Sequence, residues 1–190
     1  MKKEVAAWLA LMLITVVAAT CLALTNENTK DIIAAQEAQN AETARKTLIP
    51  SADVFEAVDL PEDSGLSTLY VGKENGETAG YVAMVTATGF GGPVEVTVGI
   101  DMDGKVIGIS VDGSQFSETA GLGAKAKEET FTTQFDGREV PLRVVKSAAD
   151  KADDTIDAIT SATITSTAVT NAVNTAGEYV KTLLTQDAAE

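Results

Sequence analysis

A run of hydroxyl side chains near the end of the chain carries the chemistry that this sequence makes possible. Between Thr160 and Thr167, six of the eight residues are Ser or Thr, and a helical pattern continues from Thr163 to about Leu184. Such hydroxyls cap the unpaired N–H groups at a helix start. The same N–H groups and the positive end of the helix dipole attract phosphate, and a Thr hydroxyl there is well placed to be esterified by it. These residues alone leave both interpretations open.

The composition excludes most other kinds of site. The chain has 190 residues, no His and one Cys, which excludes a Ser-His-Asp or Cys-His triad, a His-ligated haem, a His- or Cys-based zinc site and an intramolecular disulfide. Its 28 acidic and 14 basic residues give a formal net charge of −14, and such a surface repels nucleic acid. Chemistry must therefore come from carboxylates, hydroxyls or a group supplied from outside, and we expect no metal site.

Residues 1–25 are predicted to be a transmembrane anchor. Val5 to Leu24 contains no charge and no proline, and as a helix these twenty residues span roughly 30 Å, the thickness of the hydrocarbon core of a bilayer. Lys2 and Lys3 precede it, so the positive-inside rule places the N-terminus in the cytoplasm and the C-terminal domain outside. A cleaved signal peptide is the alternative, but its apolar region is normally only about 7–15 residues long. We expect an uncleaved single-pass anchor in the cell (inner) membrane.

The rest of the chain predicts one juxtamembrane helix and one α+β domain. The helix is expected within residues 26–50, capped at Asn28 or Thr29 and ending before Pro50. The domain is expected over residues 51–190, as a twisted antiparallel sheet with helices packed against it.

The strands and helices of this domain follow from its hydrophobic patterns and turns. In residues 94–100 apolar and polar side chains alternate, which is the pattern of a half-buried strand. Asn75-Gly76 and Asp101-Met102-Asp103-Gly104 are typical of hairpin turns. Strands are expected at 67–73, 80–88, 94–100, 106–111 and 142–145, a short helical stretch at 121–135, and a long helix at 163–184. One face of that helix is apolar and is formed by Ala168, Val169, Ala172, Val173, Ala176 and Val180.

Three blocks of this sequence resemble a known family. Residues 157–169 are similar to the flavinylation motif of membrane-anchored FMN-binding domains, Asp-x-x-Ser/Thr-Gly-Ala-Thr-x-Thr-Ser with Ala-Val soon after. Residues 118–123 resemble that family's Glu-Thr-Pro-Gly-Leu-Gly loop, and residues 89–101 resemble part of its sheet. Within the family, the likeness is to the G subunit of the Rnf ion-translocating electron-transport complex. The C subunit of the sodium-pumping NADH:quinone oxidoreductase is a more distant relative.

This resemblance implies a cofactor and the residues that hold it. FMN would be joined by a phosphoester to Thr163, the Thr that follows Gly-Ala in the family, and a separate flavin transferase would make the bond from FAD. Esterification of Thr165 instead remains open. Further cofactor contacts are implied at Thr160, Ser161, Ala162, Ile164, Thr165, Glu118, Thr119, Gly121, Leu122 and Gly123.

Two residues depart from the family's pattern. Ser161 stands where Gly is commonest, and Ala120 replaces the usual Pro. If the backbone at Ser161 requires a positive φ, its Cβ is strained there by about 1 kcal/mol or more. We expect this departure to affect recognition by the transferase more than the fold.

The resemblance implies electron transfer with no substrate chemistry in this subunit. The flavin supplies the redox reaction, while the protein holds and orients it. The whole complex would pass electrons between ferredoxin and NAD, coupled to Na⁺ or H⁺ movement, and its other membrane subunits would be the partners. Two alternatives are a stand-alone anchored flavoprotein that serves an external acceptor or partner reductase, and a non-redox exported module such as an adhesin.

Overall fold

The computed structural model describes residues 2–146 and 152–187. The chain divides into two compact units, with the boundary between Asn40 and Ala41. The first unit is helical, and the second contains the sheet and the remaining helices.

The first helix, α1, runs without interruption from Lys2 to Leu48. From Ala6 onward it is long and apolar enough to cross a membrane, judged by length and composition. The expected helix start at Asn28 or Thr29 is wrong. Both side chains donate to backbone carbonyls one turn earlier, at 2.6 and 2.9 Å, as polar side chains within a helix do. No Gly or Pro interrupts the sequence there, so the apolar helix continues into the polar one.

Five antiparallel strands form the main sheet of the second unit, in the order in which they occur along the chain. The four strands predicted first are confirmed, with bounds that move by at most a few residues. The turn that joins the first two of these predicted strands has positive φ at Asn75 and Gly76, as a tight hairpin requires. An additional short strand, missed by the sequence analysis, forms one edge. The strands are β1 (Val54–Ala57), β2 (Thr68–Glu74), β3 (Glu77–Thr88), β4 (Pro93–Ile100) and β5 (Val106–Asp112).

The remaining elements lie between β5 and the C-terminus. The expected helical stretch is three short pieces: a 3₁₀ turn (Gly123–Lys127), α2 (Glu129–Thr132) and a second 3₁₀ turn (Thr133–Phe135). The strand expected at 142–145 is β6 (Arg143–Val145), and it pairs in parallel with an unpredicted strand, β7 (Thr155–Asp157). The last helix, α3 (Thr163–Asp187), begins where it was predicted to begin.

The core lies between the sheet and α3. Val94, Val96 and Val98 on β4 are fully buried, so the predicted alternation is confirmed. The predicted apolar face of α3 is buried along its whole length and packs with β3 and β4. Because α3 is fixed by this packing, its first turn has a fixed place beside the loops that leave the sheet.

Gly177 allows α3 to approach the segment before β6 closely. A Cβ built at Gly177 would lie 2.7 and 2.8 Å from the two Cγ atoms of Val140. We expect Gly177→Ala to lower the free energy of unfolding, because overpacking costs about 1–3 kcal/mol and exceeds the gain of about 1 kcal/mol in helix propensity. Urea unfolding followed by circular dichroism measures this.

A second substitution checks the cause. Val140→Ala removes the two Cγ atoms, so the double variant should be more stable than the sum of the two single effects predicts. Strict additivity would show that this contact is not the reason for glycine at position 177.

Candidate functional site

A cavity of about 200 Å³ opens at the N-terminus of α3. Three segments form its walls: the loop between β3 and β4, the loop that precedes the first 3₁₀ turn, and the start of α3. Its lining residues are Phe90, Glu118, Thr119, Leu122, Gly123, Ser161, Ala162, Thr163, Ile164 and Thr165.

The fold therefore brings together most of the residues that the sequence analysis singled out. Two of them lie elsewhere. Thr160 lines a separate, open cavity of about 510 Å³ together with Lys125 and Gln134. Gly121 has a φ of +77° and open space around its Cα, so it serves the turn and does not line the 200 Å³ cavity.

The hydroxyls at the start of α3 do not cap it. Ala162 precedes the first helical residue, and Ala is a poor cap. The hydroxyl of Ser166 accepts from the N–H of Ile159 and donates to the Ala162 carbonyl, both at 3.0 Å. Within the described part of the chain, the N–H groups of Thr163, Ile164 and Thr165 have no partner. The first turn of α3 thus presents open donors to the cavity.

The hydroxyl of Thr165 is a buried polar group without a partner. Its residue is fully buried, and within the described residues its Oγ1 makes no hydrogen bond. A buried hydroxyl left unpaired costs about 1–3 kcal/mol in the folded state. Since Thr165 lines the cavity, a ligand that hydrogen-bonds to its hydroxyl would remove this cost.

Thr163 differs from Thr165 in access. It is partly exposed, and it lines both the 200 Å³ cavity and a neighbouring one of about 320 Å³ that also includes Thr88 and Asn171. Thr163 is therefore the more accessible of the two residues.

The backbone at Ser161 adopts the left-handed conformation, with φ +64°. This is the condition under which the sequence analysis expected strain at a non-glycine residue. Ser161 ends the turn between β7 and α3, and it directs the chain into the helix.

The cavity has an apolar rim that the sequence analysis did not recognise in full. Phe90, Leu122 and Ile164 line it with exposed fractions of 72%, 39% and 56%, which is unusual for large apolar side chains. Phe90 was not predicted as a site residue. The available signal was a bulky aromatic side chain placed among glycines in a turn, at residues 89–92.

The strand that leads into α3 is held by a side chain from the second 3₁₀ turn. Gln134 Oε1 accepts from the Asp157 N–H at 2.8 Å, and Gln134 Nε2 donates to the Asp157 carbonyl at 3.4 Å. The pairing of β6 with β7 adds a nearby ion pair, since Arg143 Nε donates to Asp154 at 2.9 Å. This hydrogen bond lowers the pKa of the Asp154 carboxyl. The segment before Thr163 is therefore held by Gln134 and by the pairing of β6 with β7.

These features fit FMN. Open N–H groups at a helix start suit a phosphate, the orphaned Thr165 hydroxyl suits a polar ligand atom, and the apolar rim suits a flat ring. A Cβ at Gly123 would overlap Glu118 and Thr165, so glycine there lets this loop pack against the start of α3. No cluster of His, Cys, Asp or Glu suited to a metal exists among the described residues.

Comparison with known proteins leads to the same class. Residues 89–178 match the FMN-binding domain family. The fold is shared with two solved structures: the C subunit of the Na⁺-translocating NADH-quinone reductase from Parabacteroides distasonis (TM-score 0.51, 28% identity, 61% of this chain and 62% of that one) and NqrC from Shewanella oneidensis (TM-score 0.53, 17% identity, 74% and 73%). Fold and site together define a protein with an FMN-binding domain.

Sequence relatives narrow this class. The chain is 40% identical over 183 residues to the G subunit of the Na⁺-translocating ferredoxin:NAD⁺ oxidoreductase complex from Acetobacterium woodii, covering 87% of this chain and 86% of the relative. It is 34% identical to the G subunit of an ion-translocating oxidoreductase complex from Methanosarcina acetivorans, covering 90% of each. The chain belongs to the family of G subunits of ion-translocating oxidoreductase complexes. The family and the α+β fold expected from the sequence are confirmed.

The strain at Ser161 gives a testable consequence. We expect Ser161→Gly to raise the free energy of unfolding by up to about 1 kcal/mol. Relief of Cβ crowding raises this free energy by about 1–2 kcal/mol. The greater entropy of glycine in the unfolded chain lowers it by about 0.5–1 kcal/mol. Chemical denaturation measures this, with Ser161→Ala as the control, because Ala keeps the Cβ. A stabilisation by Ala equal to that by Gly would show that the hydroxyl, and not the φ angle, is the source.

Proposed function

We propose that this chain is the electron-transfer subunit of a membrane-bound ion-translocating ferredoxin:NAD oxidoreductase, and that it carries FMN as a phosphoester on Thr163. The observation that carries the proposal is the cavity at the start of α3, which joins an accessible Thr hydroxyl, open helix N–H groups and an unpaired buried hydroxyl. Relatives named as G subunits of such complexes support it.

The chemistry of attachment needs a donor of an activated FMN phosphoryl group. The Thr163 oxygen would form a bond to the FMN phosphorus of FAD, the pyrophosphate bond would break, AMP would leave, and the hydroxyl proton would pass to a base. The chain has no His, and the described residues around Thr163 include no cation. A flavin transferase would therefore supply the positive charge that activates the phosphoryl group.

The role of the first turn of α3 is to hold the phosphate. Its open N–H groups and the positive end of the helix dipole stabilise negative charge, by about 0.3–1 kcal/mol for an exposed group and up to about 2 kcal/mol for a partly buried one. Thr165 would donate to the same ligand. Because the phosphoester prevents dissociation, the flavin is retained outside the cytoplasm, where free FMN would be lost by dilution.

The remaining wall residues would surround the ring. Phe90, Leu122 and Ile164 would offer it apolar contact. When bound, FMN supplies the one- and two-electron chemistry that the side chains of this chain lack. The protein orients the flavin and shields one side of it from water.

The anchor and the partners follow from the same proposal. Residues 1–25 would span the cell membrane, residues 26–50 would continue the helix beyond it, and residues 51–190 would form the extracytoplasmic domain. The uninterrupted apolar part of α1 supports a membrane position. The other membrane subunits of the complex would be its electron donor and acceptor.

The attachment is tested by mass. After co-production with a flavin transferase, the intact chain should gain the mass of FMN minus water, and Thr163→Ala should abolish that gain because it removes the oxygen that would carry the phosphoester. Thr163→Ser should retain it. Thr165→Ala serves as the matched control and should still be modified. An unmodified wild-type chain, or a gain that persists in Thr163→Ala and is lost in Thr165→Ala, would contradict the proposed linkage.

The topology is tested by labelling a single new thiol. Thr185 is exposed near the end of α3, and Cys21 is the only native cysteine. In intact cells, we expect a membrane-impermeant maleimide to label Thr185→Cys and to leave Cys21 of the parent chain unlabelled, because Cys21 lies within the apolar span. Labelling of Thr185→Cys only after cell lysis would place the domain in the cytoplasm and overturn the orientation.

A further inference from the structure

Glu118 stands between two of the three segments that form the cavity. Its Oε1 accepts from the N–H groups of Phe90, at 2.8 Å, and Gly91, at 3.1 Å. These are consecutive donors of the loop that joins β3 to β4, while Glu118 itself belongs to the segment between β5 and the first 3₁₀ turn. One carboxylate therefore connects two walls of the cavity that are separated by 27 and 28 residues along the chain.

Three glycines make room for this carboxylate and its segment. A Cβ at Gly89 or at Gly123 would overlap the Glu118 carboxylate, and a Cβ at Gly91 would overlap the carbonyl of Ser117. Backbone thus approaches Glu118 and its neighbour from both loops. A larger residue at Gly91 would push the two loops apart, and one at Gly89 or Gly123 would displace the Glu118 carboxylate.

The loop that Glu118 holds is the one that carries Phe90. The Phe90 side chain is 72% exposed and lines the cavity, so few packing contacts restrain it. Its position depends on its backbone, and the backbone N–H of Phe90 is bonded to Glu118. Without that acceptor, two adjacent N–H groups of the loop would lose their partner.

Glu118 is also the only charged side chain among the described residues that line the cavity. No Lys or Arg in that lining compensates it. A negative charge beside a flavin opposes the addition of electrons to the ring, and the effect is strong where the wall is apolar and the effective dielectric constant is low.

We propose that Glu118 is a positioning residue that fixes the Phe90 loop against the cavity, and that its charge lowers the reduction potential of a flavin held there. The inference rests on the proposed function and deepens it. It predicts two separable effects, one on the mobility of the loop and one on the potential.

The charge is tested with Glu118→Gln in the full-length chain loaded with FMN. Gln keeps a carbonyl oxygen that can accept the two N–H bonds, so the loop should stay in place, and the potential is read only on the fraction of chain that carries FMN. At a fixed solution potential, the ratio of reduced to oxidised flavin should rise about tenfold, because removal of the negative charge favours addition of electrons to the flavin. For a two-electron couple this is a shift of about 30 mV.

Glu129→Gln is the matched control, because it removes the same charge from an exposed position on α2 outside the cavity. In Glu129→Gln, the ratio of reduced to oxidised flavin should change less than twofold. A fully loaded Glu118→Gln chain with an unchanged potential, or an equal shift in Glu129→Gln, would overturn the electrostatic role. A wild-type chain that never acquires FMN would instead contradict the proposed function.

The positioning role is tested without flavin. In full-length chain produced without the transferase, hydrogen exchange of the peptide covering residues 86–94 should be at least tenfold faster in Glu118→Ala than in the wild type. Glu118→Gln should restore most of the protection, because its amide oxygen replaces the lost acceptor. Equal exchange in all three chains would show that Glu118 does not hold the loop. If Glu118→Ala fails to fold, faster exchange in Phe90→Pro, which lacks the N–H that Glu118 binds, replaces it as the test.

Discussion

The site depends on polar groups that the fold leaves unsatisfied at the start of α3. Burial of α3 against the sheet fixes its first turn, and the residue at the cap position is Ala162, which offers no acceptor. The hydroxyls nearby either bond elsewhere, as Ser166 does, or have no partner, as in Thr165. Because leaving buried polar groups unpaired is costly, this arrangement is stable only if something else supplies the missing partners. The FMN proposed above would supply them through its phosphate.

The surrounding elements then have distinct tasks. Gln134 and the β6–β7 pair hold the segment before the helix, and Ser161 turns the chain into it at the cost of a strained φ. Glu118 joins the two glycine loops on the opposite side. The groups that hold the segment before α3 are therefore different from the carboxylate that joins the two loops.

Those parts of the fold that depend on a local sequence pattern could be predicted from the sequence. The alternation in β4, the Asn75-Gly76 turn and the apolar face of α3 each follow from one short segment and its neighbours. The two missed strands, Val54–Ala57 and Thr155–Asp157, are too short to show a period, and each exists because a distant strand pairs with it. Phe90 was missed because an exposed aromatic side chain has no periodic signal. The division of the motif, with Thr160 facing one cavity and Ser161 another, depends on a backbone angle that residue types do not specify.

The three glycines at positions 89, 91 and 123 have a consequence for how such a protein can change over time. A methyl group at Gly91 meets the backbone carbonyl of Ser117, and one at Gly89 or Gly123 meets the carboxylate that joins the two loops. The rim side chains face open space and are free of that restriction. Substitution of Phe90, Leu122 or Ile164 can therefore change the surroundings of a bound cofactor during evolution. We expect the three glycines to change less.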